Sequence, residues 1–170
     1  MERSFPMAPM SRLIAGLTVL AWSVPALLLG LAAAGIAPPL TAGVGVAVAL
    51  IYGAIWIWWR PASFGLGGAG LELRFPGRRT LVEAREVANA RRLEAADFKR
   101  EFGFGLRVGV GGLWGGFGWL WTRRGGWVEF YVSRTSGFVL VERRTGMPLL
   151  VTPKDPEGFV EALRVQLGLS

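Results

Sequence analysis

The chain has 170 residues, with 19 Lys or Arg against 12 Asp or Glu and a formal net charge of +7. It contains no cysteine and no histidine. Those absences exclude disulfides, thiolate or imidazole metal sites, cysteine nucleophiles and the commonest general base, so the composition argues against an enzyme and implies no cofactor.

In chain order, residues 1–12 read as a short, weakly basic tail carrying Arg3 and Arg12. From Leu13 to Trp59 no residue is charged. A bilayer core needs about 20 apolar residues in a helix, so this stretch fits two spans better than one. The proline pair Pro38-Pro39 places the break, giving helices over 13–34 and 41–59 and a two-helix transmembrane hairpin over 13–59. A signal peptide followed by one span is the competing reading, but its apolar region would exceed the usual 7 to 15 residues or so. Small residues recur every four positions in both helices: Ala26, Gly30 and Ala34, then Gly45, Ala49 and Gly53. Such rows suit close helix packing. No Asp, Glu, Lys, Arg or His lies inside the stretch, which argues against a channel or transporter. Arg3, Arg12 and Arg60 flank it and the connecting turn is uncharged. That pattern predicts a multi-pass protein of the cell inner (plasma) membrane with both termini cytoplasmic. Trp56, Trp58 and Trp59 crowd the end of the second helix, where indoles favour the headgroup layer.

Residues 61–170 are enough for one domain with its own core. Phe64–Leu66, Leu71–Phe75 and Arg79–Glu83 read as strands. The glycines from Gly65 to Gly70 match G-x-G-x-x-G, but a strand follows them rather than a helix, so they read as a turn and not a nucleotide site. The segment 84–101 has helical propensity without a continuous apolar face and reads as part strand, part short helix. Phe102 to Trp121 is rich in glycine and aromatics. It reads as a flexible glycine loop leading into a strand over Phe117–Thr122, because Arg107 and the glycines disfavour a third span. Trp114 and Phe117 suit either the core or the bilayer surface. Trp127–Val132, Phe138–Arg143 and Met147–Val151 alternate with turn residues as an antiparallel meander. A C-terminal helix starts at Thr152-Pro153 or Asp155-Pro156, buries Phe159, Val160, Leu163 and Leu167, and ends at Gly168.

Arg100-Glu101-Phe102-Gly103 is followed by the run Gly111-Gly112-Leu113-Trp114-Gly115-Gly116-Phe117-Gly118, then by Tyr131-Val132-Ser133 and Val139-Leu140-Val141. Thr152-Pro153-Lys154-Asp155-Pro156-Glu157-Gly158-Phe159 completes the set. Together these resemble bacterial membrane proteins with a pleckstrin-homology-like (PH-like) domain. Ser133 and Thr152 exchange the family's Thr and Ser, and about four extra residues lengthen the glycine loop. The resemblance implies a membrane α-helical hairpin plus a mainly-β domain, a PH-like antiparallel β-barrel of six or seven strands capped by a C-terminal α-helix. It carries over no catalytic activity and no ligand.

The expected function is therefore a membrane-anchored, non-catalytic module that binds a protein partner at the cytoplasmic face. The alternative is a sensor of anionic lipid headgroups or phosphate ligands through paired arginines: Arg78 with Arg79, Arg91 with Arg92, and Arg123 with Arg124. The partners expected are the lipid bilayer, a protein of unknown identity and anionic lipid. The charge is scattered over turns and no nucleic-acid motif is present, which argues against a nucleic-acid partner.

Overall fold

A computed structural model of the chain describes residues 3–168. Strand β1 (Arg3–Pro6) precedes helices α1 (Arg12–Ala33) and α2 (Pro38–Trp58). Strands β2 (Ser63–Gly67), β3 (Gly70–Arg74) and β4 (Arg79–Glu83) follow, then a single 3-10 turn at Ala84–Glu86. Strand β5 (Val87–Leu93), helix α3 (Ala95–Phe102) and strands β6 (Gly105–Gly111), β7 (Gly116–Thr122) and β8 (Gly126–Val132) come next. Strands β9 (Phe138–Arg143) and β10 (Leu149–Val151) lead into helix α4 (Pro156–Leu167).

The strands form two open sheets and no barrel. One has the order β1-β2-β3-β4, the other β5-β9-β10-β8-β7-β6. The expected closed antiparallel barrel is thus corrected, and so is the plain meander. β10 inserts between β9 and β8, antiparallel to the first and parallel to the second. All three of its side chains are buried because the six-stranded sheet has a core on each face: Leu149 and Val151 point to one, Leu150 to the other. The first core lies between the two sheets and under α4, around Phe64, Leu73, Phe117, Val141, Phe159 and Leu163. The second, around Val128, Phe130, Leu140 and Leu150, lies on the opposite face beside Phe98 and Phe102 of α3. A two-faced sheet demands apolar residues in succession rather than in alternation, and Val139-Leu140-Val141 supplies them.

Local chemistry sets the element ends. Asp155 caps α4, its carboxylate accepting from the Gly158 N–H at 3.0 Å, and Gly168 closes the helix in the left-handed region. Of the two starts expected for this helix, the second holds. Thr152 is instead buried, its hydroxyl accepting from the Ser133 N–H at 2.9 Å. Pro38 and Pro39 do not form the turn between α1 and α2 but open α2, where their missing N–H groups cost nothing. The 84–101 segment resolves into the 3-10 turn, β5 and α3, mixed as its composition suggests.

The strand expected over Phe117–Thr122 is present as β7, but the glycine-rich residues before it are not one flexible loop, because Gly105–Gly111 form β6. β6 and β7 pair along their whole length, Gly105 with Thr122 through Gly111 with Gly116. Within the N-terminal segment, β1 pairs with β2 from Arg3–Leu66 to Pro6–Ser63.

The assignment as a multi-pass inner-membrane protein with both termini cytoplasmic is also corrected. Most of the chain is a β/α domain. Two helices are long and apolar enough to cross a membrane, a test of length and composition that a signal sequence near the N terminus also passes. Because β1 is hydrogen-bonded into the domain, the arginines beside it do not decide an orientation.

The β6–β7 pairing generates a test. Gly109 has φ +141, and a Cβ there would lie 2.3 Å from the Phe117 carbonyl oxygen. Gly109→Ala should destabilise the chain by about 1–3 kcal/mol, measured by thermal unfolding in mild detergent. An unchanged Tm would contradict this backbone geometry.

Candidate functional site

Helices α1 and α2 form an apolar hairpin whose base is locked to the domain. Thr18, buried in α1, accepts from the Trp114 N–H at 2.8 Å, and its hydroxyl lies 3.1 Å from the Gly112 oxygen and 2.8 Å from the Ile14 oxygen. The turn between β6 and β7 therefore climbs alongside the helices. At its tip Trp114 adopts φ +56, a conformation that costs a side-chain-bearing residue about 1–2 kcal/mol. Its ring lies edge-on between Trp22 (6.2 Å) and Trp56 (4.9 Å), which explains why the turn holds this shape. At the other side of the base, the Gly77 N–H donates to the Ile57 oxygen at 3.0 Å and Arg78 Nε to the Trp58 oxygen at 2.8 Å.

The small-residue rows are unequally used. Gly45 is buried, and a Cβ on it would meet Leu29 at 3.1 Å and Leu28 at 3.2 Å. Ala26, Gly30 and Ala34 are exposed, and Ala49 and Gly53 are half-buried. The facing side chains on α1 are Leu28 and Leu29, which the four-residue spacing missed. Among the tryptophans, Trp56 and Trp58 remain exposed, Trp56 with Arg60 stacked 4.3 Å over its ring. Trp59 is half-buried and contacts Trp119 at 5.8 Å. Phe117 is fully buried in the first core.

The arginine pairs are not brought together, and most are engaged. Arg91 bonds Glu101 and Glu142. Burial draws its guanidinium down, but those carboxylates more than offset this and hold its pKa above the ordinary value. Arg92 bonds Glu94 and Glu157, and its pKa is raised, first by the Glu94 hydrogen bond. Arg78 is held by Trp58 and stacks on Phe75 at 4.2 Å. Arg79 lies 3.7 Å from Glu72. Arg124 donates to the Arg100 carbonyl at 2.7 Å. Arg123 forms no ion pair among the described residues.

A shallow cleft beside the hairpin base is lined by Trp59, Arg78, Trp119, Glu129 and Tyr131. Glu129 accepts from Tyr131 at 2.9 Å and from Arg143 at 3.1 Å. Burial, then the charge and hydrogen bond of Glu129, push the Tyr131 phenol above its ordinary value of 10.0. Among the described residues no three His, Cys, Asp or Glu gather to hold a metal ion.

Sequence reasoning missed the exposed face at the outer edge of the six-stranded sheet. Register places Leu106 opposite Trp121 and Trp121 opposite Trp127, with Val108 opposite Trp119. All five are exposed, from 40% at Trp119 to 62% at Leu106. The alternation Leu106, Val108, Val110 was the available signal, masked by Gly105, Gly109 and Gly111.

A family model described as a bacterial PH domain matches residues 67–167. The chain belongs to that family, whose PH-like domains are non-catalytic scaffolds. The match spans β3 to α4 and leaves the helical hairpin and β1 outside it. No curated protein and no solved structure matches the chain.

Two measurements test this geometry. Thr18→Val leaves the Trp114 N–H without its acceptor and should destabilise the chain by about 1–3 kcal/mol. Thr18→Ser, which keeps the hydroxyl, should recover most of the loss in thermal unfolding. For Tyr131, the folded chain retains a proton that the unfolded chain loses, so its contribution makes stability fall as pH rises past about 10. Comparing urea unfolding at about pH 9 and about pH 11, the fall should be smaller in Tyr131→Phe than in the unaltered chain.

Proposed function

We propose that this bacterial PH domain protein is a membrane-associated, non-catalytic module that holds a protein partner on the open β6 edge of its six-stranded sheet. The helical hairpin supplies the association: two apolar helices, largely uncovered by the domain, suit a lipid environment better than water. The domain at its base presents the partner surface.

The contrast between the sheet's two edges supports the choice of β6. Edge strands are usually blunted by charge, proline or a covering element, because their unpaired N–H and C=O groups invite another strand. β5 is protected in that way, with Arg91 and Arg92 ion-paired beside it and α4 packed against it. β6 carries a single charged residue, Arg107, over seven positions and, among the described residues, has no strand neighbour on its outer side. Its two exposed aliphatic side chains, Leu106 and Val108, continue into three exposed indoles, and contiguous exposed apolar surface with tryptophan is the usual composition of a protein-binding centre. An extended segment pairing with β6 would gain backbone hydrogen bonds and this apolar face together. The reading as an anionic-ligand sensor has less support, since the paired arginines already have partners, Arg123 excepted.

Affinity capture of the full-length tagged chain from native membranes in mild detergent tests the assignment. The unaltered chain should retain a stoichiometric protein that Leu106→Lys/Val108→Lys loses, with thermal unfolding of the variant unchanged. Equal recovery by both would overturn the edge assignment. Recovery of a second, differently tagged copy as the only protein would make the partner this chain itself.

A further inference from the structure

A groove of about 320 Å³ lies on the opposite face of the sheet, where the first turns of α1 meet the second core. Its apolar wall is made by Leu13 and Leu17 of α1, Phe98 of α3 and Phe138 of β9, and Arg107 and Arg134 also line it. Arg107 is exposed, projects to the Phe130 side of β6 (5.7 Å from that ring) and has no ion pair among the described residues. Arg134 is half-buried. One of its terminal nitrogens is held by the carbonyls of Gly137 and Pro153, while its Nε is buried without a hydrogen-bond partner. That nitrogen is closed off from the groove, so Arg134 contributes to it the charge of its guanidinium, which Glu94 also senses.

The apolar wall does not stop at the groove. Leu13, Leu17, Leu20 and Val24 follow one another at spacings of four, three and four on α1, and all are exposed. They make a stripe that runs from the groove along the helix, away from the domain. Two arginines at one end of an apolar track suit an amphiphile with an anionic head and a long hydrocarbon tail. A free phosphate ester would use the arginines and leave the stripe bare.

We infer that this groove binds one anionic glycerophospholipid, its phosphodiester at Arg107 and Arg134 and an acyl chain along the Leu13–Val24 stripe. The site is separate from the β6 edge and from the arginine pairs, and it rests on the membrane association proposed above. A lipid seated there would touch α1, α3 and the sheet at once, so its occupancy would steady the angle between hairpin and domain.

The full chain, reconstituted with phosphatidylglycerol and phosphatidylcholine in equal amounts, is first floated with the vesicles and then extracted in mild detergent for native mass spectrometry. The expected result is flotation, with one phosphatidylglycerol retained in preference to phosphatidylcholine. Arg107→Gln should lower that retention about tenfold, the loss expected for one charge-assisted contact. Arg123→Gln, at the exposed β7–β8 turn, should leave it unchanged. Because Arg134 also braces backbone carbonyls, a second variant, Ala95→Trp, blocks the groove from its α3 rim without touching either guanidinium and should act like Arg107→Gln. Failure to float would sink the membrane reading and this site with it. Flotation with equal retention of both lipids, or with Arg107→Gln matching Arg123→Gln, would overturn the lipid site alone. Competition by soluble glycerophosphoglycerol at concentrations comparable to the lipid would assign the arginines to a free phosphate ester instead.

Discussion

The tie between the apolar hairpin and the β6–β7 turn of the β/α domain passes through the hydroxyl of Thr18. Its helix needs nothing from it, since the Ile14 carbonyl four residues back lies within reach of the hydroxyl proton. By also meeting the Gly112 carbonyl and the Trp114 N–H, it ties α1 to the tip of a hairpin nearly a hundred residues later in the chain. Away from water such a group cannot be replaced by solvent, so the tie is worth more here than on an exposed surface. The left-handed Trp114 and the indoles around it follow from that tie. The strain of one residue is held by three rings and two hydrogen bonds, and the turn has little freedom to adopt another shape.

The same constraint accounts for the form of the sheet. β6 and β7 are drawn toward the hairpin by their shared turn, and β8 follows through its register with β7. β9, however, pairs with β5 on its far side, and the gap between β8 and β9 is filled by the three-residue β10. A strand with a core on each face must be apolar throughout, and Leu149-Leu150-Val151 is. Closure into a barrel would require β6 to meet the four-stranded sheet. The chain instead leaves β6 uncovered and bridges the sheets through the Met7–Pro153 contact.

Much of this was legible in the residues. The uncharged 13–59 stretch, the hairpin at Arg74–Arg79 and the cap and stop of α4 rest on local chemistry that survives folding unchanged. The family was readable for the same reason, since its marks lie in short runs from Arg100 to Phe159. What could not be read was non-local. Nothing in Leu149-Leu150-Val151 says that one neighbour is parallel and the other antiparallel. In β6 the glycines that let two backbones approach at Gly109 and Gly118 also erased the propensity by which a strand is recognised. The arginines illustrate the converse error. Adjacent in sequence, Arg91 and Arg92 alternate across a strand and find different carboxylates, whereas Arg107 and Arg134, 27 positions apart by their numbers, line one groove.

The two faces of the β6–β7 ribbon differ in chemistry, and the two proposed ligands follow that difference. Period-two alternation sends Leu106 and Val108 to one side with three indoles, and Arg107 to the other with the α1 groove. The indole side is apolar, open and beside a free strand edge, which favours a polypeptide. The arginine side is narrow, cationic and continuous with a hydrocarbon-compatible helix, which favours an amphiphile. Because both faces belong to one ribbon whose turn is fixed by Thr18, a ligand that shifts α1 on one side must move the strand that carries the other. Any coupling between membrane and partner would therefore travel through packed backbone over a single strand's width.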